Sequence, residues 1–209
     1  MLPPDLLVAL AAFAFVSSVT PGPNNMMLLA SGVNHGFRRS LPHMLGVSIG
    51  FVAMIGAIGL GVAQVFALYP QLYSILKVLS IAYLLWLAWR IANSGPLTSV
   101  SGDSSGRPMT FFGACAFQWV NPKGWMMALG AISAYTRAGD YLRSLAVVML
   151  VFLLVNLPSV SLWVMFGVGL RRWLTDPAKV RLFNITMALL LVASLVPIVA
   201  PMVVGFGRP

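Results

Sequence analysis

The chain has 209 residues, of which 59% are hydrophobic and only 8% charged, and its mean hydropathy is +0.92. A soluble domain carries about 25% charged residues, so this composition excludes an ordinary water-soluble globule and points to a membrane protein. The net charge of +9 and pI of 10.7 would suit nucleic acid, but the Lys and Arg residues stand singly or in pairs where apolar runs stop, with no basic–aromatic stretch, and this argues against that partner.

The N-terminal segment MLPPDLLVALAAFAF has an apolar core without a preceding Lys or Arg, and apolar character resumes after Asn25. A cleaved signal peptide needs a positive start and a defined end, so the segment reads as the first membrane span. A spanning helix needs about 20 apolar residues. Six stretches qualify, at 5–33, 43–66, 70–92, 110–135, 142–169 and 182–204. The expected fold class is therefore an all-α integral membrane protein with six transmembrane helices. Connections are short and polar except at 94–109, where SGPLTSVSGDSSGRP makes a flexible linker between two halves of three spans, 1–93 and 110–209.

The connections after spans one, three and five hold eight of the basic residues: Arg38, Arg39, Arg90, Arg107, Arg171, Arg172, Lys179 and Arg181. The opposite side holds Arg137, Arg143 and Arg208, with Lys77 as a fourth if it snorkels that way. The positive-inside rule then puts both termini outside the cytoplasm. An odd number of spans per half forces the halves into opposite topology, giving two inverted three-helix repeats.

Each half opens with an interrupted span. TPGPNN (Thr20 to Asn25) breaks the first and WVNPKG (Trp119 to Gly124) the fourth. Proline lacks an amide hydrogen and clashes with the carbonyl four residues back, so Pro21, Pro23 and Pro122 end helices in apolar surroundings. Unpaired backbone groups cost several kcal/mol each in hydrocarbon and survive only inside protein or beside a water-filled cavity. Matching interrupted spans are the best sequence pointer to a transporter binding site. The half-helix starting near Pro23 exposes free N–H groups and partial positive charge, suited to a carboxylate. Carbonyls before the break can accept from an ammonium group, and Asn24 and Asn25 add amide donors and acceptors. The candidate substrate-binding residues are Pro21, Gly22, Pro23, Asn24, Asn25, Asn121, Pro122, Lys123 and Asn156.

Lys123 lies near the middle of its span, where a cation is expensive. It reads as a partner for a substrate carboxylate or as a mobile coupling group; the plainer alternatives are a lysine that snorkels from a span with other bounds and one that only caps the broken backbone. NLPS (156–159) divides evenly between cavity lining and a structural kink. GVSIG (46–50) is a small-xxx-small pattern of the kind that packs helices. His35 and His43 read as interfacial residues. Of the six tryptophans, Trp119 and Trp125 beside the second break are candidates to line a site. Cys115 is alone, so no intrachain disulfide forms. No HExxH, Walker loop, GxSxG or carboxylate cluster occurs, so no catalytic residue, metal ligand or cofactor is expected.

These motifs together resemble the LysE/RhtB family of bacterial amino-acid exporters. The resemblance rests on TPGPNN, HGFR (35–38), a glycine-rich second span, LKVLSIAYLLWLAWRIA (76–92), FQWVNPKGW (117–125) and NLPSVSLWVMFG (156–167), and it covers nearly the whole chain. HGFRRS and YLLWLAWRIA are similar to the branch that exports cysteine and O-acetylserine. The resemblance implies an inner-membrane carrier, not an enzyme, that moves small amino acids out of the cell on the proton gradient. Many members have an acid after Pro-Gly-Pro where this chain has Asn24, so the proton-carrying group is open. The partners expected are a small amino acid and the lipid bilayer, with homo-oligomerisation open. The rival readings are a cation or metal exporter on the same scaffold, against which four aspartates and one cysteine argue, and a membrane enzyme or assembly subunit.

Overall fold

The computed structural model describes residues 3–93, 108–174 and 176–196. Secondary structure among these residues is helical throughout, with no strand. Proline sets the helix boundaries. Helix α1 (Pro4–Val19) starts on a proline and stops before TPGP; α2 (Pro23–Ala57) restarts with Pro23 at its first position. In the second half α5 (Phe111–Val120) stops at Asn121 and α6 (Pro122–Tyr135) restarts on Pro122. A proline at the first helical position has no N–H to leave unsatisfied, so it starts a helix as readily as it ends one. Both interruptions expected from the sequence are therefore present.

The connection between the first two stretches differs from expectation. Residues 34–42 do not form a polar loop; helix runs up to Gly36 and resumes directly after it. Gly36 alone leaves helical geometry, at φ 76° and ψ 175°, a region that glycine enters without a Cβ penalty. The hydroxyls of Ser31 and Ser40 lie 2.7 Å apart, whereas nine residues of unbroken helix would separate them by about 13 Å. The chain thus folds back on itself, and α2 consists of two arms, 23–35 and 37–57. The second arm passes through a π-helical turn (Ile58–Val62) into the short α3 (Ala63–Leu68), and α4 (Pro70–Ala92) follows.

After a 3₁₀ turn (Ala138–Asp140), α7 (Tyr141–Arg171) runs unbroken through Pro158, which faces outward, and α8 (Pro177–Ala193) follows. Helix α7 is the central post. Against the first arm of α2, a Cβ on Gly32 would strike the Val164 carbonyl and one on Gly167 the Leu29 carbonyl, so backbones touch there. The second arm packs Gly46 and Gly50 on α5, where a Cβ on Gly50 would lie 2.6 Å from Cys115 Cα. GVSIG is thus a packing face, and Cys115 is a small residue within it. Phe13, Phe51 and Phe152 meet edge to face between α1, α2 and α7. The apolar clusters all draw residues from both sides of the 94–109 linker.

The outer surface carries many large apolar side chains: Leu60 is 73% exposed, Val8 70%, Leu154 64% and Leu189 64%. Soluble monomers rarely expose apolar patches beyond a few hundred Å². Among the described residues three helices are long and apolar enough to cross a membrane, Pro23–Val62, Ser74–Ala92 and Ala138–Arg171, the first being the one folded at Gly36. Pro4–Val19 and Phe111–Val120 are shorter apolar helices, each followed by its half-helix partner. The chain is an all-α membrane protein.

Candidate functional site

The two interruptions meet. A cavity of about 30 Å³ is lined by Ser17, Ser18, Gly22, Asn24 and Asn25 from the first and by Gln118, Asn121, Lys123, Gly124 and Met127 from the second. Val47 and Phe51 of α2 and Asn156 and Val160 of α7 close it. Of the residues picked out in the sequence, Gly22, Asn24, Asn25, Asn121, Lys123 and Asn156 come together here. Pro21, Pro23 and Pro122 do not line the cavity; they act by stopping and starting the helices around it. Trp119 and Trp125 also lie off it, joined instead by a 2.9 Å bond from Trp125 Nε1 to the Trp119 carbonyl.

The broken end of α1 is satisfied by side chains. Asn25 Nδ2 donates to the carbonyls of Ser18 and Thr20, both at 2.8 Å, and Trp163 Nε1 donates to that of Val19 at 3.2 Å. Lys123 Nζ, 103 residues away in sequence, donates to the Thr20 carbonyl at 2.7 Å and to the Thr20 hydroxyl at 2.9 Å. It also reaches the Pro21 carbonyl at 3.4 Å. The carbonyls that the sequence offered to a ligand's ammonium group are thus already occupied, and the ammonium that occupies them is Lys123's own. Asn24 is also engaged: its Nδ2 donates to Gln118 Oε1 at 2.9 Å, and Gln118 Nε2 returns a bond at 3.3 Å. This amide pair ties one interruption to the other.

The starts of the half-helices are different. The first helical bond of α2 runs from Met26 N–H to the Gly22 carbonyl, so the amides of Asn24 and Asn25 precede it. In α6 the first bond runs from Trp125 to Asn121; Asn121 Oδ1 takes the Lys123 N–H, and the Gly124 amide is left ahead of the ladder. Each helix N-terminus carries about half a positive charge. Two of them and one ammonium therefore surround a cavity that no carboxylate lines among the described residues. On its walls Ser18 Oγ and Asn156 Oδ1 are buried without a hydrogen-bond partner. An unsatisfied buried polar atom costs about 1–3 kcal/mol, which a bound ligand can recover. The site can take an anion at the helix starts and a donor, such as an ammonium group, at Asn156 Oδ1.

Sequence reasoning missed Gln118, Ser17 and Ser18. Their signal was available: Gln118 is an amide within an apolar run three residues before Asn121, and SSV (17–19) leads directly into TPGPNN. The interfacial reading of His43 also needs correction. It is only 2% exposed and lines a separate cavity. Among the described residues no three His, Cys, Asp or Glu side chains gather as a metal site would require.

An all-helical membrane protein with two interrupted helices around a polar cavity has the build of a membrane carrier. The profile of the LysE type translocator family matches residues 15–196, and the chain belongs to that family, whose members are translocators rather than enzymes. It is 34% identical over 132 residues to the cysteine/O-acetylserine efflux protein of Klebsiella pneumoniae subsp. pneumoniae, covering 63% of this chain and 66% of that protein. The proteins of the same name from Escherichia coli and Shigella sonnei are 34% identical over 133 residues, with the same coverage. The matched segment therefore spans just under two thirds of these relatives. No solved structure matches the chain.

Proposed function

We propose that the chain is a secondary exporter of small neutral amino acids or their derivatives, cysteine-like or O-acetylserine-like, across the bacterial inner membrane. The observation that carries this reading is the convergence of both half-helix starts and Lys123 on one cavity whose remaining buried acceptors, Ser18 Oγ and Asn156 Oδ1, lack partners. That pattern complements a zwitterion: carboxylate toward the Asn24, Asn25 and Gly124 amides and Lys123, ammonium toward Asn156 and Ser18. The names of the relatives agree with it in substrate class. In this reading the chain crosses the membrane six times as two inverted three-helix repeats, with both termini periplasmic.

A cavity of about 30 Å³ holds about two waters, so a substrate enters only when the surrounding helices part. This fits alternating access between the two halves, with the present geometry closed. Among the described residues Lys123 is the one titratable side chain lining the cavity, which makes it the candidate for coupling to the proton gradient. The test is counterflow of labelled O-acetyl-L-serine, cysteine and a panel of neutral amino acids in liposomes holding the purified chain alone. Saturable exchange of at least one is expected, and it should respond to an imposed pH gradient. No exchange across the whole panel would sink the reading.

A further inference from the structure

The half-helix 23–35 has a second cavity at its far end. Nine residues separate Asn25 at the first cavity from Asn34 at the second, about 13 Å along the helix. This cavity measures about 80 Å³, and Ser31, Asn34, His35, His43, Arg90 and Met109 line it. Ser31 and Asn34 are engaged, with Ser40 and with Asn184. His43 is not: both ring nitrogens are buried without a partner. A side chain 2% exposed, on the wall of a cavity with room for several waters, has kept its whole hydrogen-bonding capacity unused.

Among the described residues the charge around it has one sign. Arg90 is on the wall, held 5.0 Å over the Trp86 ring. Arg39, Arg90 and Arg171 all lie within electrostatic reach of His35 on the same wall. Among the described residues no carboxylate lines the cavity. Asp140 pairs with Arg143 elsewhere, and Asp176 caps α8. A cation would be repelled here. A small anion would gain guanidinium charge and a donor from His43.

We propose that this second cavity binds a small carboxylate; resting on the exporter reading, its occupant is the carboxylate of the amino acid as it enters from the basic end, before it reaches the cavity at Lys123. The experiment exploits the count of two histidines. The purified full-length chain carries ¹³C-labelled histidine, the two ring signals are told apart with His35→Gln, and sodium acetate or O-acetyl-L-serine is titrated against a sodium chloride control. The His43 signal is expected to move saturably with both carboxylates, and to do so still in Lys123→Ala, where the first cavity is impaired. In liposomes His43→Gln should raise the KM for counterflow several-fold.

A His43 signal that ignores both carboxylates overturns the proposal, even if counterflow is intact and the exporter reading stands. A signal that moves only when phosphatidylglycerol vesicles are added also overturns it, because the occupant is then a lipid headgroup. Acetate-dependent movement in a chain without any counterflow keeps the carboxylate site and removes the exporter reading alone.

Discussion

Lys123 is engaged at once in structure and in the proposed chemistry, and substitutions separate the two. Its ammonium spans the interruptions through the Thr20 and Pro21 carbonyls and the Thr20 hydroxyl. Hydrogen bonds from a charged donor contribute about 1.5–3 kcal/mol, but Thr20 keeps its bond from Asn25 when the lysine is gone. Lys123→Ala is therefore expected to leave a folded, monodisperse protein with a modestly lower unfolding temperature. Its counterflow rate should fall by at least about tenfold, equivalent to about 1.4 kcal/mol; a wild-type rate would remove Lys123 from the site. Asn156 makes the converse case. Its Oδ1 is buried and unpaired, so Asn156→Leu deletes an unsatisfied group while nearly conserving volume. Thermal unfolding should show equal or higher stability, and liposome assays should show weakened transport. A clear drop in stability would mean that Asn156 serves the fold, and its assignment to the substrate would fail. The depth of Lys123 and the oddity of Asn156 were legible in the sequence. Their partners were not, because these depend on how two interruptions about 100 residues apart are brought together.

At the scale of elements, the prolines gave both interruptions away, since each removes a helix bond wherever it falls. Gly36 gave nothing comparable. HGFRRS reads as a polar loop, yet one residue at φ 76° reverses the chain and the rest remains helix. Pro158 misleads in the other direction, because an outward-facing proline in a long helix supported by neighbours need not break it. The glycines make this scale testable. Gly32 and Gly167 let the first arm of α2 touch α7 backbone to backbone, and a Cβ on either would strike a carbonyl oxygen. Overpacking of this kind costs about 1–3 kcal/mol. Gly169, two residues along α7 from Gly167, has open space where its Cβ would be, with nothing within 4 Å. Gly169→Ala should be neutral or stabilise by about 0.5–1 kcal/mol through helix propensity. Gly32→Ala and Gly167→Ala should each lower the unfolding temperature measured by fluorescence-detected gel filtration. Equal behaviour of all three variants would contradict the close α2–α7 contact.

At the scale of the whole molecule, the tertiary contacts sort the basic residues into two ends. The turn at Gly36 lies against Arg171 Nη1, 3.7 Å from where a Cβ would be, and Arg90 shares a cavity wall with His35. Arg38, Arg39, Arg90, Arg171 and Arg172 therefore collect at one end. At the other, the Tyr141 hydroxyl donates to the Gly59 carbonyl at 2.8 Å and Tyr135 reaches the Ala9 carbonyl at 3.3 Å. That end carries Arg137 and Arg143, the latter paired with Asp140. In the proposed reading the positive-inside rule makes the Gly36 end cytoplasmic. Cys115 is the one cysteine, so Cys115→Ala yields a thiol-free background. Gly139→Cys is well suited as an outer probe, because nothing lies within 4 Å of its Cβ position. Arg172→Cys is the inner probe, separated from Gly139 by the 31 residues of α7, about 46 Å of helix. An impermeant maleimide should label Gly139→Cys on intact cells and Arg172→Cys only after permeabilisation. The reverse pattern would invert the orientation and make the basic end the exit. Labelling of both from outside would mean that α7 does not cross the bilayer, which the six-span reading could not survive.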